Sequence, residues 1–164
     1  MVFNQTNVYM KKAIQQMHHE IFYPTVRVRA GRSGGSGTVV YSQRYNGDAH
    51  TYIITNHHVI QKCIKIEKKW DPILKKKIDK EILDTVQVEY FKYNNYSHCI
   101  GSYAVEADIV AYSEIEGGED WALLQTRDLE NLAKSVAHMY PINKIDDIHI
   151  FDKVYACGAS LGHP

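Results

Sequence analysis

Apolar residues recur along this chain first with a helical period and then, for most of its length, with a period of two. Met10, Ile14, Met17 and Ile21 are spaced by four, three and four, which stacks them on one face of a helix over Asn4 to Phe22. Asn4 or Thr6 suits its start, and Pro24 stops it. From Thr25 the rhythm changes: Val26 and Val28 alternate with Arg27 and Arg29, the pattern of a half-buried strand. Thr38 to Ser42 and Thr51 to Thr55 read as strands joined by a turn at Arg44 to Asp48. Asn46-Gly47 supplies the hairpin signal there.

Cys63 to Ile66 alternates briefly. Trp70 to Leu83 breaks the strand rhythm and reads as a turn-rich helix or an ordered surface loop. Thr85 to Phe91 returns to strand, with Val86, Val88 and Tyr90 on one face, and Asn94-Asn95 turns the chain. Tyr103 to Tyr112, Asp120 to Thr126 and Lys153 to Cys157 complete the strands, with a helix expected at Leu129 to His138. About eight strands with turn signals at short intervals predict an all-β fold, an antiparallel barrel or sandwich. The glycine-rich stretch Gly31 to Gly37 is expected to be a turn. It fails as a phosphate cradle, because no Gly-Lys-Ser/Thr follows and a strand stands where a helix is needed.

A length of 164 residues allows one domain or slightly more, and 45% hydrophobic content is ordinary for a chain with a core. Nineteen basic and nineteen acidic residues cancel, so nothing in the net charge argues for nucleic acid as a partner. The charge is unevenly placed. Lys62 to Lys80 holds eight lysines, whereas Ala104 to Thr126 holds six acidic residues and no Lys or Arg. No apolar run approaches a membrane span, so no membrane is expected among the partners. The N-terminus lacks the features of a secretory signal, and a cytosolic location is the default. Three scattered cysteines, Cys63, Cys99 and Cys157, do not form a disulfide framework, although one Cys63–Cys99 bridge is left open. A metal site built from His57, His58, His98, Cys63 or Cys99 lacks paired ligand spacing. Neither metal nor cofactor is expected.

The chemistry concentrates in two places. Thr55-Asn56-His57-His58-Val59 follows the apolar run Tyr52-Ile53-Ile54, and Asp120-Trp121-Ala122-Leu123-Leu124 comes later in the chain. A histidine past one buried strand and an aspartate at the head of another are two members of a hydrolytic triad in one of its known orders. An imidazole accepts a nucleophile's proton and returns it to the leaving group, provided a carboxylate on its other nitrogen fixes the tautomer. Asp120, after Gly117-Gly118-Glu119 and at the start of an apolar strand, suits that role. Glu119 is the nearest rival, and Asp128 lies past the strand.

Ser36-Gly37-Thr38-Val39-Val40, Ile53-Ile54-Thr55-Asn56-His57-His58-Val59, Asp108-Ile109-Val110 leading into Asp120-Trp121-Ala122-Leu123-Leu124, and Val154-Tyr155-Ala156-Cys157-Gly158-Ala159-Ser160-Leu161-Gly162 occur in that order. Together they resemble the trypsin-like serine proteases, nearest the bacterial Deg type. The resemblance implies two six-stranded antiparallel barrels with the active site in the cleft between them. It makes residues 1–24 a helical extension, 25–127 the first barrel, 128–152 a connector and 153–164 the start of a second barrel. The family's Thr-x-x-His-Val pattern makes His58 the catalytic histidine and leaves His57 as a packed or surface residue. Asp120 becomes its carboxylate partner, and a polypeptide the expected substrate.

Gly158 to Gly162 imitates the Gly-x-Ser-x-Gly nucleophile elbow of other hydrolases. No helix follows it, and the histidine and aspartate precede it instead of following. Ser160 is therefore expected to be a turn residue. The family's Gly-x-Ser-Gly-Gly loop does not occur in the 164 residues. The expectation is the N-terminal portion of a serine endopeptidase, inert by itself without nucleophile or oxyanion donors. Two alternatives use the same residues: a related fold with a cysteine nucleophile, as in viral relatives, and a non-enzymatic pseudoprotease that binds a partner.

Overall fold

A computed structural model of the protein describes residues 14–114 and 117–159. The chain is mostly β, a closed six-stranded antiparallel barrel preceded by one short helix. The strands are β1 (Thr25–Ala30), β2 (Ser33–Tyr45), β3 (Asp48–Thr55), β4 (Ile64–Asp71), β5 (Lys76–Leu83), β6 (Val86–Tyr93), β7 (Cys99–Tyr112) and β8 (Ala122–Thr126). The barrel runs β1-β2-β3-β8-β7-β6, and the β1–β6 pairing Val28↔Val88 closes it. Strands β4 and β5 form a separate two-stranded sheet, inserted between the third and fourth barrel strands. Inside the barrel, Val26, Val28, Val39, Ile53, Val86, Val88 and Leu124 are fully or almost fully buried. Each contributes about 1.5–3 kcal/mol by leaving water.

The alternating stretches Val26–Val28 and Val86–Tyr90 and the apolar run within Thr51–Thr55 all lie in barrel strands, as expected. The turn at Asn46-Gly47 also forms as expected. Both residues take positive φ, 52° and 98°, which is what a tight hairpin between right-twisted strands demands.

Four expectations are corrected. The glycine-rich segment is a turn only at Gly31-Arg32; from Ser33 it is strand β2, paired to β1 from Ala30↔Ser33 to Thr25↔Thr38. Glycine here answers close packing rather than chain reversal.

Trp70 to Leu83 is neither helix nor loop. It is most of a hairpin whose strands pair from Ile64↔Leu83 to Asp71↔Lys76. No glycine marks its turn. Asp71 Oδ1 instead accepts the backbone N–H groups of Ile73 and Leu74 at 2.8 and 2.9 Å, and Lys75 takes a φ of 48°.

Leu129 to His138 is not helical. This segment spends its backbone groups on the barrel wall. Ala49 N–H donates to Leu129 O, Ala133 N–H to Ser42 Oγ, and Ala137 N–H to Val39 O, each at 2.8 Å. A helix would forfeit these bonds.

Lys153 to Cys157 forms no strand, because among the described residues nothing pairs with it. The segment is tied down at its end, where Ala159 N–H donates to Ser36 Oγ at 2.8 Å.

At the N-terminal end, residues 14–17 are helical and lead into a π-turn at His18–Phe22 that ends before Pro24. Tyr23 stacks on Tyr93, with centroids 4.8 Å apart, and docks this turn on β6. The expected cap at Asn4 or Thr6 lies outside the described residues, as does Ser160.

Candidate active site

Strand β3 carries the chain to the barrel's rim, where Thr55 Oγ1 donates to Ser36 O at 2.8 Å. Asn56 stays extended, and His57–Ile60 then forms a single helical turn. Val59 and Ile60 are buried in the core and pin this turn. Successive side chains on a helix point in different directions. His57 accordingly goes inward, 5% exposed, while His58 projects from the surface.

His57 meets the ring of Tyr112 at a centroid distance of 4.9 Å. Tyr112 faces that way because of a bulge. The β7–β8 register shifts between Ile109 and Ala111, so Ile109↔Leu124 and Tyr112↔Ala122 share the inner face despite an odd separation along β7. The sequence left His57 as packed or surface, and the structure makes it packed.

On the other side, His58 Nδ1 lies 2.6 Å from Asp120 Oδ2, and His58 backbone N–H donates to Asp120 Oδ1 at 3.0 Å. One carboxylate therefore holds the same residue by ring and by backbone. The two contacts fix the imidazole's position and orientation together. The His58 N–H, then the imidazole, hold the Asp120 carboxyl below the usual carboxylate range. An ionised carboxylate only accepts, so Nδ1 is the donor to it, and in the neutral ring Nε2 is left with its lone pair. Among the described residues Nε2 has no hydrogen-bond partner. The pair is open to solvent, the side chains being 68% and 45% exposed. The carboxylate is thus less enclosed than the buried partner of a working triad.

Asp120 is itself held in place. Asn56 Nδ2 donates to Asp120 O at 2.8 Å, which links the two halves of the site. Ser113 Oγ donates to Glu119 O at 3.0 Å and receives Trp121 N–H at 3.0 Å, clamping the residues on either side. The rival carboxylate, Glu119, accepts Trp121 Nε1–H at 3.0 Å instead of meeting a histidine. Asp128 accepts the backbone N–H groups of Glu130 and Asn131 and belongs to a turn. Sequence reasoning did not single out Asn56 or Ser113. Asn56 stood beside the histidines and was open to notice, whereas Ser113 sits in a loop with no motif around it.

A groove of about 470 Å³ lies on the His57 side of the turn, lined by His57, Gln61, Ile64, Ile66, Glu81, Tyr112 and Glu114; neither His58 nor Asp120 lines it. Tyr112 Oη donates to Glu81 and ties the root of the β4–β5 hairpin to the barrel. Among the described residues no three histidine, cysteine or acidic side chains gather as a metal site would. All three cysteines are free. Burial pushes the Cys63 thiol up, away from the thiolate that a nucleophile needs. No helix among the described residues is long and apolar enough to cross a membrane. Comparison with family models, curated proteins and solved structures found no match to this chain.

Proposed function

We propose that this chain is the part of a trypsin-like serine endopeptidase that carries the histidine and aspartate of the triad. The observation that carries the reading is the 2.6 Å contact between His58 Nδ1 and Asp120 Oδ2 at the rim of a closed antiparallel barrel. In the proposed reaction, His58 Nε2 takes the proton of a serine hydroxyl as its oxygen attacks the scissile carbonyl. It then returns that proton to the leaving amine. Asp120 keeps the ring in the Nδ1–H tautomer and stabilises the imidazolium that forms.

The reading assigns the serine and the oxyanion-binding amides to residues outside this sequence, in a second barrel facing the first. That barrel would also cover the solvent-open pair, since such a site works best where water is excluded.

A fluorophosphonate probe on the protein extended past Pro164 tests the assignment. Expected is labelling of one serine that is lost in His58→Ala and is insensitive to thiol alkylation. Peptide hydrolysis that is blocked by thiol alkylation and comes without fluorophosphonate labelling would instead indicate a cysteine nucleophile. Labelling unchanged in His58→Ala would sink the reading.

A further inference from the structure

We propose that the β4–β5 hairpin is a docking finger for an anionic lipid surface, independent of the peptidase reading. Among the described residues the hairpin pairs with no other strand, and its eight paired positions make it a regular projection. At about 3.3 Å per residue its tip stands roughly 20 Å from its root. Near that tip, Trp70, Ile73 and Leu74 are 62%, 88% and 57% exposed. Three large apolar side chains held in water at one end of a projection need a reason. They are not there for flexibility, because the Asp71 carboxylate pins the backbone of Ile73 and Leu74.

The charges beside them point to the partner. Lys68, Lys69, Lys75, Lys76 and Lys77 surround the tip. Of the acidic residues nearby, Asp71 holds the turn through one oxygen and Glu67 lies 3.7 Å from Lys69, which leaves Lys68, Lys75, Lys76 and Lys77 with no ion pair among the described residues. Apolar side chains at the apex, a tryptophan just behind and a collar of lysines match the layering of a bilayer interface. There, aliphatic groups enter the acyl boundary, indole rings sit at headgroup level and cations meet phosphates. A polynucleotide would satisfy the lysines but leave Ile73 and Leu74 in water. The contact needs no membrane-spanning segment.

Sedimentation with phosphatidylcholine vesicles, with and without phosphatidylserine, tests the proposal on the 164-residue chain. Expected is co-sedimentation with the anionic vesicles only. The partition coefficient should fall about fivefold for each lysine changed to glutamine among Lys75, Lys76 and Lys77. It should be lost in the triple variant Trp70→Ser/Ile73→Ser/Leu74→Ser. With Trp121→Phe, the remaining Trp70 fluorescence should shift to the blue on anionic vesicles. No sedimentation would overturn the proposal. So would binding that survives the triple serine change and is matched by heparin or RNA, which would mark a general polyanion site. An unshifted Trp70 emission would do the same.

Discussion

Gly35 lies against Val59 so closely that a β-carbon on the glycine would come within 2.5 Å of the valine's Cγ2. Val59 is the buried neighbour of His58, so the bare backbone of β2 sets how deep the histidine's helical turn can sit. Gly35→Ala is expected to destabilise the protein by about 1–3 kcal/mol, as overpacking does. It should also move the backbone amide resonance of His58. Gly34→Ala meets only Val28 O at 3.6 Å and should stay within about 0.5 kcal/mol. Urea denaturation of the two variants separates close packing from a general intolerance of side chains in this strand.

The adjacent histidines are expected to divide their roles. His57→Ala removes a buried ring packed on Tyr112 and should cost on the order of 2–4 kcal/mol of stability. His57 Nδ1 has no protein partner among the described residues, so His57→Phe should be neutral or stabilising. His58→Ala should leave the denaturation midpoint close to that of the parent, because its side chain is exposed. Equal losses from both alanine variants would contradict this division.

The Asp120 carboxyl is held low by the His58 N–H first and by the imidazole second. A carboxyl with a depressed folded pKa stabilises the fold above its unfolded value, and that contribution disappears as pH falls through the folded value. The rim contact should therefore persist below the ordinary aspartate range, near 3.9, and break only in stronger acid. Carbon-detected NMR of the Asp120 carboxyl is expected to show this. In His58→Ala the titration should move up only part way, since the backbone donor remains. A return to the ordinary value would mean that the ring alone holds the carboxylate.

Much of the barrel was legible because a half-buried strand writes itself as alternation, as Val26–Val28 and Val86–Tyr90 do, and because Tyr52-Ile53-Ile54 is a short apolar run between threonines. His58 and Asp120 were legible because each follows or precedes an apolar strand in a recurring pattern. The rest depended on partners that no local window contains. Leu129 to His138 looks helical until its amides find Ser42 and Val39. The β4–β5 turn hides because an aspartate side chain does what glycine more often does. Asn56 and Ser113 acquire their roles only when the chain brings them beside Asp120.

The barrel closes without β4 and β5, which among the described residues pair only with each other. Replacing residues 66–81 by a two-residue turn, with Ile64 and Leu83 kept, should leave the barrel's denaturation free energy within about 1 kcal/mol. Circular dichroism and urea titration check this. Collapse of the fold would show that the hairpin is part of the barrel's support.

Peptide hydrolysis by the protein extended past Pro164, compared with its His58→Ala and Asp120→Asn variants, bears most directly on the proposed chemistry. The expected result is turnover in the parent and a fall of about 10⁴-fold or more in either variant, with the barrel still folded. Undiminished turnover in either variant would show that the His58–Asp120 contact is not the engine of the reaction.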